Sequence, residues 1–186
     1  KSPSITQRRP LLIYKSQRDI MKKIIAAIKD GKKCFIASNS RKLVNLIDKE
    51  IIEACGRHIK KVVVTSENSM DPDIKNFILN ITQEFDNIQV LLCSPSLGTG
   101  IDITFPNGEQ RVDCVFGLFK PNVNSHTDID QQLSRVRNPK EISIWIQGSS
   151  YRYETNFEIV RDALARAYWV PAAVKGYDDK GQFIYD

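Results

Sequence analysis

Residues 34–54 read Cys-Phe-Ile-Ala-Ser-Asn-Ser-Arg-Lys-Leu-Val-Asn-Leu-Ile-Asp-Lys-Glu-Ile-Ile-Glu-Ala. Cys34, Phe35, Ile36 and Ala37 form an uninterrupted apolar run, the pattern of a strand covered on both faces. The polar turn Ser38-Asn39-Ser40 follows. Leu43, Leu46, Ile47 and Ile51 then recur at the spacing that puts them on one face of a helix over 41–54.

The same grammar recurs along the chain. Ile20, Ile24, Ile25 and Ile28 predict a helix over 16–29, which Gly31 stops. A strand over 62–65 leads to a helix over 71–85, with Pro72 suited to its first turn. A strand over 88–93 leads into the loop 94–102. Strands over 112–118 and 142–146 flank a helix over 128–136, and a last helix is expected over 156–168. Apolar strands separated by amphipathic helices imply a mainly parallel sheet covered on both faces. Ligands of such sheets bind outside the carboxyl ends of the strands, so the loops 38–41, 65–71, 94–102, 119–128 and 147–153 are where function is to be sought. The expected organisation is a linker over 1–14, one domain over 15–170 and a tail over 171–186.

The chain has 186 residues, enough to bury a core, and 41% hydrophobic with 26% charged residues suits a globular protein. No apolar run could span a bilayer, so no membrane partner is expected. The first residue is Lys1, as expected of a piece of a longer chain. Net charge is +5, but residues 1–49 hold thirteen Lys or Arg against three acids, and the other 137 hold 14 against 19. A basic third of this kind is either a polyanion-binding face or the solvated side of helices. The cysteines Cys34, Cys55, Cys93 and Cys114 make no C-x-x-C pair, which argues against zinc and favours a reducing, cytoplasmic setting.

Several chemistries are missing. No G-x-x-x-x-G-K-[ST] cradles phosphate, and Gly98-Thr99-Gly100 is followed by Ile103 where a dinucleotide fingerprint needs its third glycine. Cys93 opens a loop as in a cysteine phosphatase, yet Thr99 stands where an arginine would be required. His58 and His126 have no partners at metal-ligand spacing, and no metal site is expected. A hydrolase built wholly on this chain is not indicated.

Two loops carry a pattern. Residues 90–103 join a buried strand to a small-residue loop ending Gly100-Ile101-Asp102, and residues 130–137 read Asp-Gln-Gln-Leu-Ser-Arg-Val-Arg. As a helix, the second stretch places Gln131 and Arg135 one turn apart on one face, with Arg137 just beyond. Together these resemble motifs V and VI of the second RecA-like lobe of superfamily 2 helicases, T-x-x-x-x-x-G-I-D and Q-x-x-G-R-x-x-R. Ser94 falls on the threonine, Gly100 and Asp102 on the glycine and aspartate, Gln131 and Arg135 on the glutamine and first arginine. Residues 34–41 stand where motif IV would. Ser134 replaces the motif VI glycine and the second arginine comes one residue early. This form is closest to herpesvirus-type origin-binding helicases and to plasmid replication helicases, including the cyanobacterial type.

The resemblance, over about residues 15–150, implies a RecA-like three-layer α/β/α fold with a mainly parallel central sheet. It implies the second motor lobe of a helicase or translocase serving origin or plasmid replication, with ATP and Mg shared with a first RecA-like lobe of the parent chain. Arg137, with Arg135 second, would reach the nucleotide in trans beside Gln131, an effect worth about 10³ to 10⁵ in rate for arginine fingers. Gly100 and Asp102 would bind nucleotide, Asp102 through the ribose or by holding motif VI. Nucleic acid, DNA before RNA, would meet Ser38, Asn39, Ser40, Arg41, Thr65, Ser66 and Ser94. The Ser38-Asn39-Ser40 turn can equally cap the following helix. Tyr151, Tyr153 and Trp169 could stack on bases or pack the last helix. The competing reading is a non-catalytic doubly wound module that binds nucleic acid or a protein through its basic N-terminal third.

Overall fold

The structure is a computed structural model that describes residues 11–95, 102–121, 126–148, 158, 174–177 and 183–185. The chain divides into two compact units, Lys1–Ser149 and Ser150–Asp186.

The first unit is built on β1 (Leu11–Tyr14), α1 (Gln17–Lys29), β2 (Cys34–Ser38), α2 (Arg41–Cys55), β3 (Lys61–Val64), α3 (Pro72–Leu79) and α4 (Ile81–Glu84). After these come β4 (Val90–Cys93), β5 (Cys114–Phe119), α5 (His126–Leu133) and β6 (Glu141–Ile146). Six strands form one sheet in the order β1-β6-β5-β2-β4-β3, and all its pairs are parallel. In the second unit, β7 (Val174–Tyr177) and β8 (Phe183–Tyr185) pair antiparallel. Within that unit the expected helix over 156–168 lies outside the described residues apart from Glu158, as do Tyr151, Tyr153 and Trp169.

Alternation along the strands feeds two cores. Cys34, Ile36, Leu92 and Phe116 point to the side on which Ile20, Ile24 and Ile28 of α1 and Val44, Ile47 and Ile51 of α2 are buried. Phe35, Ala37, Leu91 and Val115 point to the other, where Phe77, Ile81 and Phe85 close over the sheet with Ile103, Phe105 and Val112. Helix, sheet and helix make three layers. Truncating one of the fully buried aromatics, such as Phe35 or Phe116, would cost about 3–5 kcal/mol.

Local chemistry sets the helix ends. Ser16 and Ser40 cap α1 and α2 by accepting from the amides of Asp19 (3.1 Å) and Leu43 (3.4 Å). Gly56 ends α2 at φ 87°, a conformation in which a side chain is strained.

The structure corrects the sequence reading in three places. Residues 11–14, read as linker, form the edge strand β1 beside β6. The strand is four residues long and mostly exposed, with Ile13 at 73%, and it owes its conformation to pairing with β6. The single helix expected over 71–85 is divided at Asn80, whose side-chain amide donates to the Asn76 carbonyl (3.0 Å). The helix expected over 128–136 ends at Leu133, so Arg135 lies past it and does not share a helix face with Gln131.

At the amino ends of the strands, Asp113 accepts from the backbone amide of Lys33 (2.8 Å) and from Lys140 Nζ (2.7 Å). Burial pushes its carboxyl up, but these two donors outweigh it and hold the pKa below the usual carboxylate range. A depressed carboxylate stabilises the fold above its unfolded pKa of about 3.9, and that contribution is lost as pH falls through the lower folded value. Acid unfolding should therefore show a loss below about pH 4 that Lys140→Met reduces. Parallel acid titrations of the two proteins by circular dichroism check this, and identical profiles would contradict it.

Candidate nucleotide and nucleic-acid interface

Of the residues singled out in the sequence, Ser38, Asn39, Ser40, Arg41, Thr65, Ser66 and Ser94 stand at or just past the carboxyl ends of β2, β3 and β4. β2 and β5 are neighbours whose following connections run in opposite directions across the sheet, the arrangement that opens a ligand crevice in such folds. That point is bridged by Asn39. Its side chain donates to the Lys120 carbonyl and accepts from the Lys120 amide, both at 2.8 Å, and it is 6% exposed. Asn39 thus positions the loop, with its amide committed on both sides. Ser38 is fully buried and its hydroxyl accepts from the Ser40 amide at 3.3 Å. Ser40 caps α2, and the exposed Arg41 pairs with Glu67 (2.8 Å).

The loop after β3 is stapled by Asn68, which the sequence reading did not mark. Its side chain accepts from the Thr65 amide and donates to the Val63 carbonyl, both at 2.8 Å. Thr65 is buried and its hydroxyl accepts from the Glu67 amide, whereas Ser66 is exposed. Ser94 is buried after β4, and its amide donates to the Val64 carbonyl at 2.9 Å. Of this set, Arg41 and Ser66 present the most accessible side chains.

Residues 102–104 and 135–137 form one small assembly. Ile103 and Val136 make an isolated parallel bridge, in which the Ile103 amide donates to the Arg135 carbonyl (2.7 Å) and the Arg137 amide to the Ile103 carbonyl (3.3 Å). Across it, Arg137 Nε donates to Asp102 Oδ2 at 2.7 Å, while the Thr104 hydroxyl donates to Asp102 Oδ1 at 2.8 Å. Arg137 is 60% and Asp102 42% exposed at the side chain, so this is a solvent-facing pair with its geometry fixed by backbone on both sides. Gln131 is exposed on α5, and Gly100 lies outside the described residues. Thr104 could not be picked out from sequence, because nothing in its spacing announces a contact with Asp102.

Arg135 turns inward. Burial draws its guanidinium pKa down, and its Nη1 is buried without a hydrogen-bond partner among the described residues. A buried cationic nitrogen with no acceptor is a place where an anionic group would be stabilised. The neighbouring Cys93 thiol is pushed up to about 12 by burial and is no nucleophile at neutral pH. Among the described residues no cluster of three His, Cys, Asp or Glu could hold a metal, and no helix is long and apolar enough to cross a membrane.

What brings α5 close to the sheet is Gly117. A Cβ there would meet Phe119 Cε2 at 2.5 Å and Leu133 Cδ2 at 2.8 Å. A glycine inside an apolar strand is the one signal in the sequence for such a close approach.

The sequence matches no protein-family model and no curated protein. Among solved structures, the helicase MrfA bound to DNA matches with a TM-score of 0.51 and 14% identity over 71% of this chain. The fold is RecA-like. The Hef helicase domain of Pyrococcus furiosus (TM-score 0.44, 20% identity, 69% of this chain) is also similar. So is Lhr of Mycobacterium smegmatis bound to ssDNA and AMP-PNP (TM-score 0.48, 12% identity, 74% of this chain). This chain corresponds to 18%, 26% and 19% of those three chains respectively.

Two substitutions test the geometry of the RecA-like edge. Asn39→Ala leaves both Lys120 backbone groups without their side-chain partner and should cost about 1–3 kcal/mol. Gly117→Ala forces Leu133 and Phe119 apart and should cost a similar amount, about 1–3 kcal/mol, by overpacking. Urea unfolding checks both, through a lower midpoint at unchanged slope.

Proposed function

We propose that this chain is the second motor lobe of an ATP-dependent nucleic-acid helicase or translocase. The observation that carries the reading is that Asp102, Thr104 and Arg137 form one hydrogen-bonded group, with the orphaned Nη1 of Arg135 close by in sequence. ATP and Mg would lie between this edge and a first RecA-like lobe, which would supply the phosphate-cradling loop and the metal-binding acids.

In this reading the chain contributes positive charge across the cleft. Asp102 holds Arg137 by Nε alone, which leaves the two terminal nitrogens of the guanidinium free to meet phosphate oxygens as a fork. A guanidinium held in place before the reaction stabilises charge developing on the transferring phosphoryl group without reorganising at that moment. Arg135, less hydrated, would meet an anion from the inner side. Gln131, exposed on α5, and Gly100 complete the nucleotide set by resemblance. Nucleic acid, DNA before RNA, would cross the same edge on phosphate contacts from Arg41 and Ser66 with the backbone of the loops at Ser38, Ser40, Thr65 and Ser94. Service in origin or plasmid replication rests on the form of residues 131–137.

Arg137→Ala in the full-length protein should lower ATP turnover by about 10³-fold or more while changing the KM for ATP little. Arg137→Lys should not restore it, since a point charge does not replace the fork. Steady-state ATPase assays with saturating nucleic acid check this, and full turnover in Arg137→Ala would remove the proposed role.

A further inference from the structure

Between residues 15 and 33 the chain carries seven basic residues against two acidic ones. The structure sorts them, with Lys32 exposed in the turn after α1. Lys23 turns to Glu141 of β6 (3.1 Å), and Lys33 donates to the carbonyls of Phe85 and Asp86 (3.1 and 2.7 Å). Arg18, Lys22 and Lys29 follow one another at helical spacing along the outward face of α1, continuing from Lys15 just before its cap, and all four are exposed. None of them has an acidic partner within ion-pair distance among the described residues. Elsewhere Lys23, Lys33, Arg41, Lys49, Lys61, Arg111, Arg137 and Lys140 are paired, while Lys32, Lys42, Arg57, Lys60, Lys75 and Lys120 also make no ion pair among the described residues.

The acids near this stripe do not cancel it. Asp19 bonds back to the Ser16 hydroxyl at the helix start (2.7 Å). Asp30 caps the far end of α1, and Glu50 of α2 lines a groove of about 430 Å³ with Arg18, Met21, Lys22 and Ile25. The groove side thus holds one carboxylate against two cations of the stripe.

We infer that this stripe is an interaction surface for the phosphate backbone of nucleic acid, distinct from the carboxyl-edge loops. Its length fits. Residues 15–29 span about 20 Å at 1.5 Å per residue, and a nucleic-acid strand presents a phosphate every 3.4 Å or so of its axis. Its direction fits as well. α1 begins just after β1, level with the carboxyl edge, and runs back along the sheet toward Gly31. A strand leaving the edge can therefore continue onto the helix. No base-reading group lies in the stripe, so the contact is indifferent to sequence. The inference goes beyond the motor reading and does not depend on ATP hydrolysis.

The test is the salt dependence of binding to a duplex DNA bearing a single-stranded tail, measured on the full-length protein between about 50 and 200 mM salt. The triple variant Arg18→Gln, Lys22→Gln, Lys29→Gln should flatten the log-affinity against log-salt slope by about 0.9 per residue removed, roughly 2 to 3 in all. A control variant with the same charge change elsewhere, Lys49→Gln, Arg57→Gln, Lys75→Gln, should leave the slope near that of the parent. Circular dichroism establishes that each variant retains its helix. An unchanged slope in the α1 variant, an equal flattening in the control, or loss of an acidic protein partner with DNA binding intact would each overturn the assignment. ATP turnover and its dependence on Arg137 are read separately, so failure here leaves the motor reading standing and failure there leaves the stripe standing.

Discussion

The strand β2 is paired on both sides, and the rest of the unit depends on that. Cys34 stands opposite Val90 on one side and Cys114 on the other, and the register continues through Ala37 opposite Cys93 and Gly117. In-register parallel pairing makes β4, β2 and β5 end level, so their loops leave the sheet side by side. All five residues of β2 are buried. Because its side chains alternate, one strand contributes to both cores, and a slip of one residue would exchange Phe35 and Ile36 between them.

Level strand ends make a polar edge out of loops that are far apart in sequence. The Asn39 amide joins residues 39 and 120, and the Ile103–Val136 bridge joins the loop after β4 to the segment after α5. The two arginines of that segment, two residues apart, meet opposite environments. Arg135 turns inward, where burial lowers its pKa, whereas Arg137 reaches out onto Asp102. In the proposed reading each guanidinium would meet an anion in its own way, Arg137 held by a carboxylate on Nε and Arg135 through a buried nitrogen that has no acceptor among the described residues.

The strands β2 to β6 and the helices α1 and α2 were legible because their signals are local: uninterrupted apolar runs, a 3.6-residue period, a serine cap. β1 was not, since its four-residue run stands directly after Pro10 in a basic entry segment and owes its conformation to pairing with β6, more than 120 residues away. The end of α5 at Leu133 was hidden for a similar reason. Residues 134–137 have helical spacing, but the backbone groups of Arg135 and Arg137 are taken by Ile103, a contact over more than thirty residues that outweighs propensity. The loops after β2, β3 and β4 leave one edge as the parallel-sheet rule requires, whereas the contacts their residues make were not legible. In sequence, Asn39 reads equally as a phosphate ligand and as part of a helix cap, and only Lys120 beside it shows a loop clamp; Asn68 and Thr104 sit in no motif.

The central claim is that the Asp102–Arg137 assembly faces a nucleotide. Hydrogen exchange of the full-length protein, with and without ADP and aluminium fluoride, tests it most directly through the amides of Ile103 and Arg137. If the assembly closes on the transferring phosphoryl group, exchange at both amides should slow when the mimic binds, with the Cys34 and Val90 amides at the opposite end of the sheet unchanged. Binding of the mimic with no change at Ile103 and Arg137 would contradict the account.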